Sequence, residues 1–402
     1  MTKKYLFLFL MMMVSIGFNA CQDDNDELRT TILSLTVQSP EEMTDFTLSE
    51  LQAVFTERNT GEKTLSDPFT GTLMILLPEG TYDIAVQGKI SYWINGKRQT
   101  GEVKASKESN VVLGEKAVLS LPLMLVIDHT DFLISEIFFT GTQTPEKKQY
   151  NGDKYMVIYN NSDEVLYADG LVIGQTDFLT VTKHAYRPDI MAEAVGVDCL
   201  IQIPGTGKEY PVDPGKYLVI ADNAIDHREY NPQSIDLNKA DFEWYSTSLG
   251  GEVDNTDVPN MFNLYDRMVM HNRGFKSFIL ARIPVENEQY LKDYRYHYDY
   301  DFVFNGITYP MDGDCYKVPN EWVVDAVNLS VESEFQWIVT SPALDMGWTS
   351  CGKVDKDPQR YGKSVRRKVL ATNPDGTQKL QDTNNSSVDF IPDATPSLME
   401  NK

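Results

Sequence analysis

The sequence predicts an all-β protein made of two β-sandwich domains. Short runs with apolar residues at every second position recur along the chain, as at 32–37 and 82–86, and alternation of this kind is typical of half-buried strands. Gly, Pro and Asn turns separate the runs, and little of the chain has helical periodicity. Hydrophobic residues make up 42% and aromatic residues 11% of the sequence. This composition is rich enough to form a core.

The first predicted domain covers residues 32–126. About seven short strands are expected here, with turns at 59–61, at Gly71 and after Pro78. The motif Asn-Thr-Gly at 59–61, the Gly71 turn and the motif Leu-Pro-Glu-Gly-Thr-Tyr at 77–82 resemble the transthyretin-like, carboxypeptidase-regulatory type of sandwich. Modules of that type are usually spacers or docking domains, so the resemblance implies no chemistry.

The second predicted domain covers residues 132–390 and precedes a polar tail at 391–402. Its ordered motifs are Ile-Ser-Glu-Ile at 134–137, Tyr-Asn at 159–160, Pro-Gly at 214–215, Val-Asp at 324–325 and Gly-Lys-Ser-Val-Arg-Arg at 362–367. This series resembles the immunoglobulin-like sandwich of the lamin-tail type, with insertions at about 175–210 and 222–320. The resemblance implies that the Arg of the last motif is structural and hydrogen-bonds strand ends. Residues 371–402 are polar and are expected to form a coil.

The N-terminus predicts export and a lipid anchor. Lys3 and Lys4 precede an uncharged apolar run at 5–18, which is too short to span a bilayer and is typical of a signal peptide. Cys21 follows a small residue, so residues 1–20 resemble a bacterial lipoprotein signal and Cys21 becomes the lipidation site. The alternative is plain secretion, with Cys21 as a cleaved or spare thiol.

The residues after Cys21 predict where the anchored protein is displayed. Residues 21–31 form an acidic tether, which resembles the export signal of Bacteroidota surface lipoproteins and is also typical of a solvated linker. The expected location is the outer face of the outer membrane. The whole chain resembles a Bacteroidota lipoprotein family of about this length and of unknown function.

Charge and cysteine content limit the function further. A net charge of −23 argues against nucleic-acid binding, which needs clustered Lys and Arg. Beyond Cys21 the chain has Cys199, Cys315 and Cys351, at spacings unlike those of zinc or redox motifs. Cys315 and Cys351 are able to pair, and the sequence leaves that open.

The aromatic segment 294–302 and three tryptophans elsewhere in the chain are the candidate ligand site. In 294–302 aromatic residues alternate with charged ones, which on a strand gives an aromatic face and a charged face. The aromatic face either binds a ligand or packs on the core. The residues selected as a ligand-binding surface, because aromatic residues anchor interfaces, are Trp244, Tyr294, Tyr296, Trp322 and Trp348.

Two weaker patterns concern metals. Asp299, Asp301, Asp312 and Asp314 are close enough in sequence to supply oxygen ligands to calcium, although the spacing is not that of an EF-hand. Met268, Met270 and His271 form a soft-ligand cluster that would suit haem or copper, and Met is more often core filler. Apart from possible calcium, no cofactor is expected.

The sequence contains none of the common catalytic motifs, so we expect a non-enzymatic protein. The leading hypothesis is an accessory or ligand-capturing subunit of an outer-membrane β-barrel protein, in particular a nutrient transporter. The alternatives are a free-standing adhesin or glycan-binding lipoprotein and, less favoured, a hydrolase, whose paired carboxylates would be recognisable only in space.

Overall fold

The computed structural model describes residues 29–39, 46–94, 97–126, 131–246, 253–373 and 375–400. The predicted signal peptide, Cys21 and the acidic tether up to residue 28 lie outside the described residues. The described chain divides into two compact units, residues 29–91 with 102–124 and residues 92–101 with 125–400. None of the described helices is long and apolar enough to cross a bilayer.

The described chain up to residue 126 forms a two-sheet β structure, which contains the first unit and the segments 92–101 and 125–126 of the second. Its strands are β1 (Thr30–Gln38), β2 (Phe46–Glu57), β3 (Lys63–Leu65), β4 (Thr72–Pro78), β5 (Gly80–Ile94), β6 (Lys97–Val112), β7 (Lys116–Pro122) and β8 (Met124–Val126). One sheet has the order β4-β1-β7 and the other β3-β2-β5-β6-β8. Leu33 and Leu35 on β1 and Phe55 on β2 are fully buried. Alternating side chains therefore give each sheet a core-facing side.

The second unit contains the remaining seventeen strands and two short α-helices. They are β9 (Phe132–Phe138), β10 (Tyr155–Asn160), β11 (Leu166–Tyr167), β12 (Leu171–Thr176), β13 (Ala194–Gln202), β14 (Pro211–Val212), β15 (Tyr217–Ala221), β16 (Phe242–Glu243), β17 (Phe262–Tyr265), β18 (Phe278–Arg282), α1 (Asn287–Asp293), β19 (Arg295–Phe304), β20 (Ile307–Pro319), β21 (Val323–Val327), β22 (Ser364–Arg367), β23 (Val369–Thr372), β24 (Gln378–Leu380), α2 (Ser386–Asp389) and β25 (Phe390–Ala394).

Two sheets enclose the core of this unit. One has the order β16-β15-β10-β9-β22-β25, and the other has the order β19-β20-β13-β12-β18-β21 with β17 beside β13. Ile134 and Ile158 from the first sheet pack with Ile173, Ile201 and Leu280 from the second, all at most 1% exposed. The predicted all-β sandwich class is confirmed.

The predicted insertion 222–320 contributes a strand to the larger sheet. Its strand β18 lies between β12 and the edge strand β21. Phe278 and Leu280 belong to the central core, while Ile279 packs in a second cluster on the other face. A strand that is apolar on both faces belongs inside a sheet.

The expectation of a polar coil over 371–402 was wrong for the described part of this segment. Strand β24 pairs with β23, α2 follows, and β25 pairs with β22 at the edge of the smaller sheet. Asp382 and Asp389 in this segment are buried. The polar composition reflects a buried charge cluster and not a solvated tail.

That cluster surrounds Arg367 on β22. Its guanidinium is 1% exposed and donates to both carboxylate oxygens of Asp325 on β21, at 3.0 and 2.8 Å. It also donates to Asp382 at 3.0 Å and to the Ile134 carbonyl at 3.0 Å. The Asp389 carboxylate lies 3.7 Å away. Arg367 therefore has the structural role that the sequence motif implied, and it connects the two sheets.

Replacing Arg367 should destabilise the second unit strongly. Arg367→Met leaves several carboxylates buried without their cation, which costs about 3–5 kcal/mol of unfolding free energy. Chemical denaturation followed by circular dichroism measures the loss. The matched control is Arg366→Met, because Arg366 pairs with Glu400 at the surface, and surface pairs contribute about 0–1 kcal/mol. Similar losses in both variants would contradict the assigned role.

Candidate functional site

The most distinctive surface element is the hairpin of β19 and β20, here called the ribbon. Its register places Tyr296 opposite Cys315, Tyr300 opposite Met311 and Phe302 opposite Tyr309. The predicted alternation is confirmed over β19, where Tyr296, Tyr298 and Tyr300 are buried or half-buried and the charged residues between them are exposed. On this aromatic face Tyr296 is 4% and Phe302 is 41% exposed. The face is thus packed at the root of the ribbon and exposed at its tip, and ligand binding there stays a prediction.

A glycine makes room for one ring of this face. Gly313 lies opposite Tyr298, and a Cβ atom at position 313 would come within 2.6 Å of the Tyr298 ring. The Tyr298 hydroxyl donates to Asp177 at 2.7 Å. The ring therefore lies flat across the ribbon backbone, which no larger residue at 313 would allow.

The opposite face of the ribbon is acidic. Asp299 is paired in register with Asp312, and Asp314 with His297. Arg187 donates to Asp299 at 2.7 Å and to Asp301 at 3.1 Å. Within the described ranges, no three or more His, Cys, Asp or Glu side chains are grouped so as to hold a metal ion. The guanidinium of Arg187 neutralises part of the acidic face, and calcium binding stays a prediction.

An aromatic pocket of about 340 Å³ lies beside the root of the ribbon. Its aromatic walls are Phe178, Tyr186, Tyr296 and Trp337. The Phe178 and Tyr186 ring centroids are 4.3 Å apart, and the Tyr186 and Trp337 rings stack at 6.0 Å. Concave sites lined by aromatic rings with a few polar groups are typical small-molecule sites, and this one is at the small end of their usual size.

Hydrogen bonds to the protein hold these walls in place. The Trp337 indole N–H donates to the carbonyls of Leu179 and Thr182, at 2.9 and 3.0 Å. The Tyr296 hydroxyl donates to the Pro188 carbonyl at 2.6 Å. These hydrogen bonds fix the positions of the Trp337 and Tyr296 side chains in the pocket wall.

Polar and charged groups lie around the mouth of the pocket. Lys183, His184 and Asp189 belong to its lining, and the Lys183 ammonium lies 5.6 Å from the centre of the Trp337 ring. Burial raises the pKa of Tyr186 to about 12, so this wall is a neutral phenol at physiological pH. The site thus combines apolar ring faces with a few donors and acceptors at its edge.

The residues selected from sequence do not form one surface. Trp244 is 2% exposed and packs in the core between the sheets, where it cannot reach a ligand at the surface. Tyr294 and Trp322 pack together, 4.8 Å between ring centroids, in a cluster around the buried Tyr290. Trp348 stacks on Phe335 elsewhere, at 5.1 Å. Of the five, Tyr296 alone lines the pocket.

Sequence reasoning missed Phe178, His184, Tyr186 and Trp337. All four lie in connections between strands and have no alternating pattern. The available signal was the density of aromatic residues in the first predicted insertion, at 175–210. Even that signal would not have indicated Trp337, which the chain brings to the pocket from more than a hundred residues away.

A second, polar cleft of about 690 Å³ lies elsewhere in the same unit. Lys154 is buried there, burial lowers the pKa of its ammonium, and its Nζ donates to the Met270 carbonyl at 3.2 Å. Lys276 pairs with Asp198, which also accepts from Gln175 at 3.2 Å. These contacts satisfy the lysines within the protein, so the cleft is not assigned a ligand.

The predicted soft-ligand cluster lies at the wall of this cleft. Met268 and Met270 are buried in the central core, as expected of core filler. His271 accepts a hydrogen bond from the Phe275 N–H at 3.2 Å. Burial, together with the charges of Arg273 and Lys154, lowers its pKa to about 4. His271 is therefore a neutral structural imidazole near pH 7.

This pKa predicts a contribution of His271 to acid instability. A pKa below the unfolded value of about 6.5 means that the unfolded chain binds the extra proton. The contribution of His271 to the free energy of unfolding is present above pH 6.5 and is lost as the pH falls towards 4. The Tm of His271→Gln should therefore fall less between pH 6.5 and pH 4 than the Tm of the unchanged protein, as measured by thermal unfolding. The control is Met270→Leu, which alters the same buried wall without removing a titratable group.

The thiols are not cross-linked. Cys199, Cys315 and Cys351 are free and buried, and burial raises the pKa of each. Cys315 and Cys351 belong to different hydrophobic clusters. The disulfide that the sequence left open does not form.

Comparison with known proteins finds a family without an assigned activity. Residues 213–397 match the family model described as "Protein of unknown function (DUF4876)". The chain is similar to this uncharacterised family. No curated protein matches the sequence.

Solved structures support the fold. A crystal structure of a DUF4876 family protein from Bacteroides thetaiotaomicron is 20% identical, covers 92% of this chain and 97% of that chain, and has a TM-score of 0.55. At this identity the likeness concerns the fold. An adhesin candidate from Bacteroides ovatus, 8% identical, covers 73% of this chain and 86% of that chain with a TM-score of 0.19, too low to carry an argument. Neither comparison bears on the transthyretin-like and lamin-tail-like resemblances.

Proposed function

We propose that this protein is a non-enzymatic lipoprotein of the bacterial cell surface that captures a ring-shaped ligand in its aromatic pocket. The observation that carries the proposal is the pocket beside the ribbon root, whose ring faces are held by hydrogen bonds to the protein. Prearranged walls lose little conformational freedom when a ligand binds. The N-terminal sequence, with its apolar run and Cys21, supports export and anchoring in the outer membrane.

A carbohydrate is the ligand class that fits best. Aromatic rings stack on the apolar faces of sugar rings, and the polar rim formed by Lys183, His184 and Asp189 offers donors and acceptors to hydroxyl groups. Sites of this composition orient a ligand with few polar contacts. The small volume suits a terminal sugar better than the interior of a long chain.

Glycan binding should depend on Tyr186. On an array of immobilised oligosaccharides, Tyr186→Ala should weaken binding at least about tenfold, because it removes one aromatic wall of the pocket. The matched control is Tyr294→Ala, which removes a half-buried tyrosine outside the pocket. Both variants are first compared with the unchanged protein by thermal unfolding. Absence of any bound oligosaccharide, or equal weakening in both variants, would contradict carbohydrate capture.

In one form of this proposal the protein is an accessory subunit, and it passes the captured ligand to an outer-membrane β-barrel transporter. The predicted lipid anchor and the lack of a catalytic motif in the sequence support such a role. Purification of the tagged protein from its own outer membrane in mild detergent should recover one barrel protein near one-to-one, as identified by mass spectrometry. Recovery of the lipoprotein alone would favour a free-standing glycan-binding adhesin.

A further inference from the structure

The tip of the ribbon exposes apolar side chains that are close together, and patches of this kind mark interaction surfaces. The exposed apolar residues between 302 and 311, with exposed fractions of 41–61%, are Phe302, Val303, Phe304, Ile307, Tyr309 and Met311. They surround a two-residue turn at Asn305 and Gly306, both with positive φ. This turn is typical of a tight hairpin that holds its strands in one register.

The distribution of these side chains matters more than their number. Phe302 and Phe304 lie on the aromatic face with Ile307 and Tyr309, whereas Val303 lies on the opposite face at 61% exposed. Apolar side chains therefore project from both faces of the tip, four from the aromatic face and Val303, beside Thr308, from the other. A protein surface that covered one face would leave the other in water, whereas a lipid headgroup layer surrounds whatever enters it.

The edges of the ribbon disfavour pairing with a strand of another protein. The backbone of Asp299 is already bonded to Arg187, at 2.9 and 3.0 Å. Beyond it, Asp301 lies opposite Pro310, which has no N–H to donate. Charged residues and proline on an edge strand are typical protections against strand addition.

The size of the tip matches shallow insertion. Three residues separate the turn from the first charged position, Asp301, which gives about 10 Å at a rise of about 3.3 Å per residue. Interfacial elements bury their apolar side chains about 5–10 Å into the boundary between headgroups and acyl chains. The acidic residues Asp299, Asp301 and Asp312 then remain on the aqueous side of the headgroup layer. Deeper insertion of the ribbon is opposed because these carboxylates would lose their hydration.

We propose that the ribbon tip, residues 302–309, inserts into the headgroup layer of a phospholipid membrane. The charge of the protein specifies the kind of membrane, because the acidic ribbon face and the net charge of −23 are repelled by an anionic surface. Zwitterionic lipid is the preferred surface. This inference is independent of ligand capture, and Tyr186→Ala should bind membranes as the unchanged protein does.

Vesicle flotation tests the proposal with residues 22–402, which include every described residue and lack the apolar N-terminal run. The protein should float with phosphatidylcholine vesicles, and less with vesicles in which half of the lipid is phosphatidylglycerol. Combining Phe302→Ser, Phe304→Ser and Ile307→Ser should lower the membrane-bound fraction at least about tenfold, since three large apolar side chains lose their contact with lipid.

The first unit provides a matched control. Met74, Leu76 and Val118 are 60–82% exposed, more than the tip residues, and Met74→Ser, Leu76→Ser and Val118→Ser together should leave flotation unchanged. Failure of the unchanged protein to float, or equal flotation of the tip variant, would overturn the proposal. Self-association that the tip variant abolishes, without flotation, would overturn it in favour of a second copy as the occupant.

A fluorescent label reports insertion directly. Because Cys199, Cys315 and Cys351 are buried, a single cysteine at Thr308→Cys takes an environment-sensitive dye selectively. Its emission should shift to shorter wavelength when phosphatidylcholine vesicles are added, whereas the same dye at Ser120→Cys should show no shift. A protein that floats while the label at 308 does not respond would show that another surface binds the membrane and would overturn the proposal.

Discussion

The contact between the Arg367 guanidinium and the carboxylates around it is the interaction on which the second unit depends. Asp325 comes from the larger sheet and Arg367 from the smaller one, and Asp325 also accepts the Ile134 N–H at 2.7 Å. A buried ion pair adds little net stability compared with apolar packing, yet its geometry is demanding. Its role here is to fix how the two sheets and the C-terminal segment meet. The apolar core fills the space that this contact defines.

The functional surfaces are extensions of this sandwich. Strand β20 pairs with β13 through Lys317 and Tyr316, and then leaves the sheet to form the outer half of the ribbon. The same strand thus has its base in the packed core and its tip in solvent. The connection 176–190 and the loop that contains Trp337 cover the root of the ribbon and form the aromatic pocket. Rigid strands position the walls, while the loops supply most of the ring faces.

The sequence was informative where a single strand carried the signal. Alternation predicted the two faces of β19, because side-chain direction follows local geometry. Sequence reasoning failed where the decisive contact joins distant segments. It also missed much of the long strand Lys97–Val112, because polar residues surround the buried positions Val103 and Ala105. The C-terminal segment looked like a solvated coil because its carboxylates and their partner Arg367 are separated along the chain. The sequence did not indicate the aromatic pocket for the same reason, because its walls come from segments far apart along the chain.

Gly313 has a consequence for how the ribbon folds. A shift of one residue between β19 and β20 would exchange the aromatic and acidic faces of one strand relative to the other. A shift of two residues would keep the faces but would replace Gly313 with Met311 or Cys315 opposite Tyr298. The side chain of either residue would then collide with the Tyr298 ring. The missing side chain at position 313 therefore acts as a steric check on strand alignment. This check acts near the root of the ribbon, whereas the turn at Asn305 and Gly306 fixes the register at its tip.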